Sequence, residues 1–75
     1  MNYMDFITID PSIRSGKPTL KGTRITVSDV LEYMASGMTA TQICEDFPEL
    51  TPEMLRACLN FAANRERHLH YPHSA

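Results

Sequence analysis

Ile13-Arg14-Ser15-Gly16-Lys17-Pro18-Thr19-Leu20-Lys21-Gly22-Thr23-Arg24-Ile25-Thr26-Val27 holds four of the chain's seven basic residues and two of its three glycines. No carboxylate lies between Asp10 and Asp29. Gly22 between Leu20 and Ile25 marks a tight turn, and Ile25 and Val27 alternate with Arg24 and Thr26 as a strand would. The stretch therefore predicts a β-hairpin turning at Leu20-Lys21-Gly22-Thr23, with residues 24–27 as the longer returning strand. One small β element then presents a positive face.

Upstream, Phe6-Ile7-Thr8-Ile9 predicts a short strand, with Ile7 and Ile9 on one face and able to pair with Ile25 and Val27. Asp10 can cap a brief helical turn, Pro11 fits its first position and Gly16 can close it. Downstream, three helices are expected. The first runs over 28–36, capped by Ser28, with Val30, Leu31 and Met34 as its apolar stripe and Gly37 as its stop. The second opens on the capping box Thr39-Ala40-Thr41-Gln42, turns Ile43, Cys44 and Phe47 inward and ends at Pro48. The third has Thr51 as cap and Pro52 at its first position, and runs to about residue 67. Leu55, Cys58, Leu59 and Ala62 form its stripe, flanked by Met54 and Phe61. That apolar surface exceeds what two short helices cover, so part of it is expected to be a subunit contact.

The expected organisation is one domain over 1–75. It comprises an N-terminal β segment (1–27), a three-helix bundle (28–67) and a flexible tail (68–75). The fold class is mostly α: a helix-turn-helix-like (homeodomain/winged-helix-like) three-helix bundle with an N-terminal β-hairpin. A chain of 75 residues buries only about 60–65% of its unfolded surface. Dimerisation is thus a natural way to enlarge its core.

Charge is divided between the two parts. Residues 1–27 set Arg14, Lys17, Lys21 and Arg24 against Asp5 and Asp10, and residues 28–75 set Arg56, Arg65 and Arg67 against seven acids. The net charge is −2, so bulk attraction to nucleic acid is excluded and any such binding needs a local basic patch. Cys44 and Cys58 are far apart, on apolar helix positions and without zinc spacing. They read as reduced core thiols. The N-terminus lacks the features of a signal peptide, and no segment is long enough to span a membrane. A cytoplasmic protein is expected.

Three helices at this spacing suggest a helix-turn-helix, whose last helix enters the major groove by its N-terminal end. Arg56 and Asn60, on the polar face of that helix, suit guanine and adenine edges, and Thr51 opens it. Against this, Pro48 stands where a glycine would make the turn, and Glu49 and Glu53 would repel phosphates. The basic hairpin is the other candidate surface, because two-stranded ribbons also enter the major groove. Lys17, Lys21 and Arg24, joined by Arg14, suit phosphates or an acidic partner. The same residues also fit solvated lysines that keep an edge strand from aggregating.

Gly16-Lys17 is no phosphate loop, since Pro18 follows in place of Ser or Thr and no helix begins there. His68, His70 and His73 share no helical face and lack a completing ligand, so no metal or cofactor is expected. No nucleophile has a base beside it, and no convergent acids are evident. An enzyme is not expected.

The combination of Ile9-Asp10-Pro11, Gly16-Lys17-Pro18, Gly22-Thr23-Arg24-Ile25-x-Val27, Gly37, Ile43, Phe47-Pro48 and Leu50-Thr51 resembles the small prokaryotic family known as domain of unknown function 433. The resemblance spans about residues 7–63. It implies a three-helix, helix-turn-helix-like fold. Members often lie beside genes for PIN-like nucleases, which implies a VapB-type antitoxin of a type II toxin–antitoxin pair. Such a protein would bind its toxin and its own operator DNA as a homodimer. Lys17, Lys21 and Arg24 would hold phosphates, and Arg56 and Asn60 would touch bases. The alternative is a protein-interaction module without a nucleic-acid role.

Overall fold

The computed structural model describes residues 2–68. Asn2 opens the chain by accepting the Met4 N–H on its side chain at 3.0 Å, which caps a single 3-10 turn, Tyr3–Asp5. Strand β1 (Ile7–Thr8) and strand β2 (Thr19–Leu20) then pair antiparallel, Ile7 opposite Leu20 and Thr8 opposite Thr19. On the other side of β2, Thr19 bridges Thr26 and the Leu20 N–H donates to the Ile25 carbonyl at 2.9 Å.

The turn expected at residues 20–23 is present. The Thr23 N–H and hydroxyl both donate to the Leu20 carbonyl, at 3.0 and 2.9 Å. Gly22 holds its third position with φ +80°, which favours glycine there. A Cβ at Gly22 would meet nothing within 4 Å, so conformation rather than space selects the residue.

The returning strand expected over 24–27 does not form: Thr26 makes an isolated bridge to Thr19, and the two-stranded sheet is β1 with β2. Helix α1 spans Val27–Ala35 and is capped by Thr26, not Ser28. The Thr26 hydroxyl accepts the Asp29 N–H at 2.9 Å, and the Asp29 carboxylate accepts the Thr26 N–H at 3.1 Å. This reciprocal box satisfies two N–H groups that helix entry leaves unpaired. Thr26 is still extended (φ −84°, ψ 158°), so it closes the sheet and starts the helix at once. The expected partnership of Ile25 and Val27 with Ile7 and Ile9 is accordingly replaced. Ile7 faces Leu20, and Ile9 lies 54% exposed.

Gly37 ends α1 as expected, at φ +103°. The Gly37 N–H reaches the Met34 carbonyl and the Met38 N–H the Tyr33 carbonyl, the paired bonds of a Schellman stop. Helix α2 (Ala40–Asp46) carries the predicted capping box of Thr39 and Gln42. Phe47 follows it and stacks on Tyr33 of α1, ring centroids 5.0 Å apart. Helix α3 (Pro52–His68) opens with Thr51 accepting the Met54 N–H at 3.2 Å.

Helix α3 packs on the N-terminal turn, α1 and α2. The core holds Ile7, Leu20 and Val30 from the first half, joined by Ile43, Leu55 and Cys58. One part of the predicted α3 stripe is corrected. Leu59 is 50% exposed, while Ala57 and Phe61 are buried. The cause is the N-terminal turn: Tyr3 sits edge-on against Phe61 at 5.6 Å, and the Asn64 side-chain amide donates to the Tyr3 hydroxyl at 2.8 Å. The apolar excess on that side of α3 is therefore covered within the chain. The tail expected from residue 68 onward, with His70 and His73, lies outside the described residues apart from His68, where α3 ends.

Candidate interface

The loop between β1 and β2 sets the first cation. Asp10 makes a local turn, its carboxylate accepting the Ser12 N–H at 2.9 Å and the Ser12 hydroxyl at 2.7 Å. The helical turn expected to run from Pro11 does not continue. Instead Arg14, Ser15 and Gly16 all take positive φ, at 49°, 60° and 81°, a left-handed turn. For non-glycine residues this costs about 1–2 kcal/mol each. Arg14 gains two partners there. Its guanidinium donates to the Arg24 carbonyl at 2.8 Å and to the Asp29 carboxylate at 3.3 Å.

Arg14 is thus a pin between the loop, the hairpin and the start of α1, which corrects its placement among free docking cations. Its charge is spent internally because Asp29 is already fixed by the capping box.

Lys17, Lys21 and Arg24 are exposed, and among the described residues none of their side chains meets a carboxylate. Arg24 borders an open cleft with Arg14, Asp29 and Glu49. Lys21 projects from the turn and lines neither that cleft nor the groove between α1 and α3 that Lys17 borders. Arg56 and Asn60 are exposed on α3, on the same outward face as Leu59 and Arg67. Thr51 acts as the α3 cap, with its hydroxyl oxygen engaged by the Met54 N–H. The acids Glu45, Asp46, Glu49 and Glu53 are exposed around the connection from α2 to α3, as the sequence implied.

Two residues escaped the sequence reading. Asp29 was legible as a helix-start acid, but its bond to Arg14 spans fifteen positions and no short-range pattern announces it. Arg65 lies with its guanidinium carbon 5.5 Å from the Phe61 ring centroid. Its spacing of four from Phe61 on a helix was the available signal.

Burial raises the Asp29 pKa, but hydrogen bonds from Thr26 and the charge of Arg14 outweigh it, and the net shift is downward from 3.8. The unfolded carboxyl therefore takes up its proton before the folded one does as pH falls. The Asp29 contribution is complete above 3.8 and disappears as pH falls through the lower, folded value. Asp29→Asn is expected to be less stable at neutral pH, with the gap to the native chain narrowing in acid. Urea unfolding between about pH 3 and 7 measures this. Asp10, held low mainly by the Ser12 N–H, leaves a residual acid slope in both proteins.

Chemistry at other groups is limited. Burial pushes the Cys58 thiol up to about 11, which removes the thiolate a nucleophile needs. Among the described residues no group of three or more His, Cys, Asp or Glu side chains is placed to hold a metal ion. No helix among them is long and apolar enough to cross a membrane.

Three helices and a two-stranded antiparallel β unit define a small, mostly α class of domain. Within that class the chain belongs to the family described as protein of unknown function (DUF433), which it matches over residues 7–62. A crystal structure of a DUF433 member protein from Anabaena variabilis shares the fold. The TM-score is 0.78 at 25% identity, over 89% of this chain and 70% of that one. The uncharacterized protein y4eO of Sinorhizobium fredii (strain NBRC 101917 / NGR234) is 33% identical over 58 residues. The match covers 77% of this chain but only 26% of that protein, so the chain spans about a quarter of its relative's length.

Proposed function

We propose that this chain is the non-catalytic, antitoxin-like member of a type II toxin–antitoxin pair. In this reading it acts in the cytoplasm as a homodimer that binds a PIN-like nuclease toxin and its own operator DNA. The observation that carries the reading is the exposure of Lys17, Lys21 and Arg24, without carboxylate partners among the described residues, on a protein of net charge −2. Local cations on an acidic body select partners that match their spacing, since bulk attraction is absent. A dimer doubles the set. Arg56 and Asn60 add a second contact on α3, where paired helices read base edges.

Binding to the DNA upstream of the chain's own gene tests the proposal. Affinity is expected to fall linearly in log units as the logarithm of salt concentration rises. Retention of the DNA that is insensitive to salt counts against it.

Glu49 and Glu53 flank the start of α3 and are exposed, which favours a second reading, a protein-interaction module without nucleic-acid binding. Arg24 and Lys17 would then meet acidic groups of the nuclease-like partner. Co-purification with the neighbouring gene product, together with absent DNA binding, selects this reading.

A further inference from the structure

A groove of about 440 Å³ runs between the start of α1 and the second half of α3. Pro18, Val27, Leu31, Phe61 and Ala62 make its apolar lining. Lys17 approaches from the end of the left-handed loop and Arg65 from α3, with Glu66 as the acid beside them. Ser28, in the first turn of α1, completes that end. Two cationic side chains on separate elements thus border one apolar hollow.

Arg65 is oriented in advance. Its guanidinium rests over the Phe61 ring at 5.5 Å, within the range of a cation–π contact. A guanidinium lying on a ring keeps its edge N–H groups available, and these match a carboxylate in two-point fashion. Among the described residues neither Lys17 nor Arg65 has a carboxylate partner.

We infer that this groove docks a segment of a partner protein in which acidic and large apolar side chains lie close together. A carboxylate would meet Arg65 and Lys17 while an apolar side chain covers Val27, Leu31 and Phe61. Charge complementarity selects an acidic occupant, and the apolar lining selects peptide over nucleic acid. A phosphate backbone would use the cations and leave the hollow uncovered. The inference rests on the reading of the chain as partner-binding and names the surface and the segment.

The probe is the peptide Glu-Leu-Phe-Glu-Leu, added to the isotope-labelled full chain and followed by amide shifts. Saturable shifts are expected at Lys17, Val27, Leu31, Ala62 and Arg65. Arg65→Glu and Lys17→Glu, each checked for an unchanged melting temperature, are expected to weaken the peptide about tenfold or more, as loss of a charge-assisted contact does. Lys-Leu-Phe-Lys-Leu is expected to bind Arg65→Glu better than it binds the native chain. Absence of shifts at the groove, equal binding by native and Arg65→Glu chains, or stronger shifts at these residues from a short DNA duplex each overturn the inference. The peptide result is independent of operator binding, so failure of the antitoxin reading alone leaves it standing.

Discussion

Leu20→Ala is expected to bring the chain to the edge of unfolding. Leu20 is fully buried, faces Ile7 across the sheet and bonds through its N–H to Ile25 and through its carbonyl to Thr23. Its side chain therefore joins the β unit to the helical core at the point where the turn is fixed. Removing it leaves a cavity that costs about 2–5 kcal/mol. A domain of this size has only about 4–11 kcal/mol in total, at roughly 0.05–0.15 per residue. Urea titration followed by helical circular dichroism measures the loss. Leu59→Ala is the control, because half of that side chain is already in water and its change should stay within about 1 kcal/mol.

The second large effect is on binding. Reversing both charges in Lys21→Glu/Arg24→Glu is expected to lower affinity for operator DNA on the order of a hundredfold, with little change in stability. The two side chains are exposed and make no contact that supports the fold. The Arg24 atom that does, its carbonyl, accepts the Arg14 guanidinium and survives any substitution there. Exposed sites of this kind change stability by about 0.5 kcal/mol or less. Each charge-assisted hydrogen bond contributes about 1.5–3 kcal/mol, so two lost contacts amount to at least roughly two decades in affinity. A variant that melts like the native chain and loses binding separates docking from folding.

Local chemistry made most of this fold legible in the sequence. Thr39 with Gln42, Thr51 before Pro52, Gly37 after α1 and Gly22 in its turn each act through bonds or dihedrals within a few positions, and the structure holds all of them as read. What escaped reading has longer reach. The left-handed run at Arg14 and Ser15 is disfavoured by both residue types, and it stands beside a bond from Arg14 to Asp29 that only the folded chain brings together. Thr26 looked like a strand residue because its backbone is extended and bridges Thr19, but its capping box with Asp29 starts the helix before a strand can form. The rotation of α3 depends on Tyr3, whose hydroxyl meets Asn64 across 61 positions, and no periodicity within α3 encodes that. The candidate surface follows the same division. The exposed cations could be located from sequence, but their separation between a cleft, a turn tip and a groove depended on how the loop packed.

In the proposed function Lys21 and Arg24 meet an anionic partner directly. The measurement that tests this most directly is fluorescence anisotropy of the upstream operator duplex across a salt series, for the native chain and for Lys21→Glu/Arg24→Glu. A steep log–log decline for the native chain, and a shallower one by at least about two ions for the variant, is the predicted result. Equal slopes in the two proteins would contradict it.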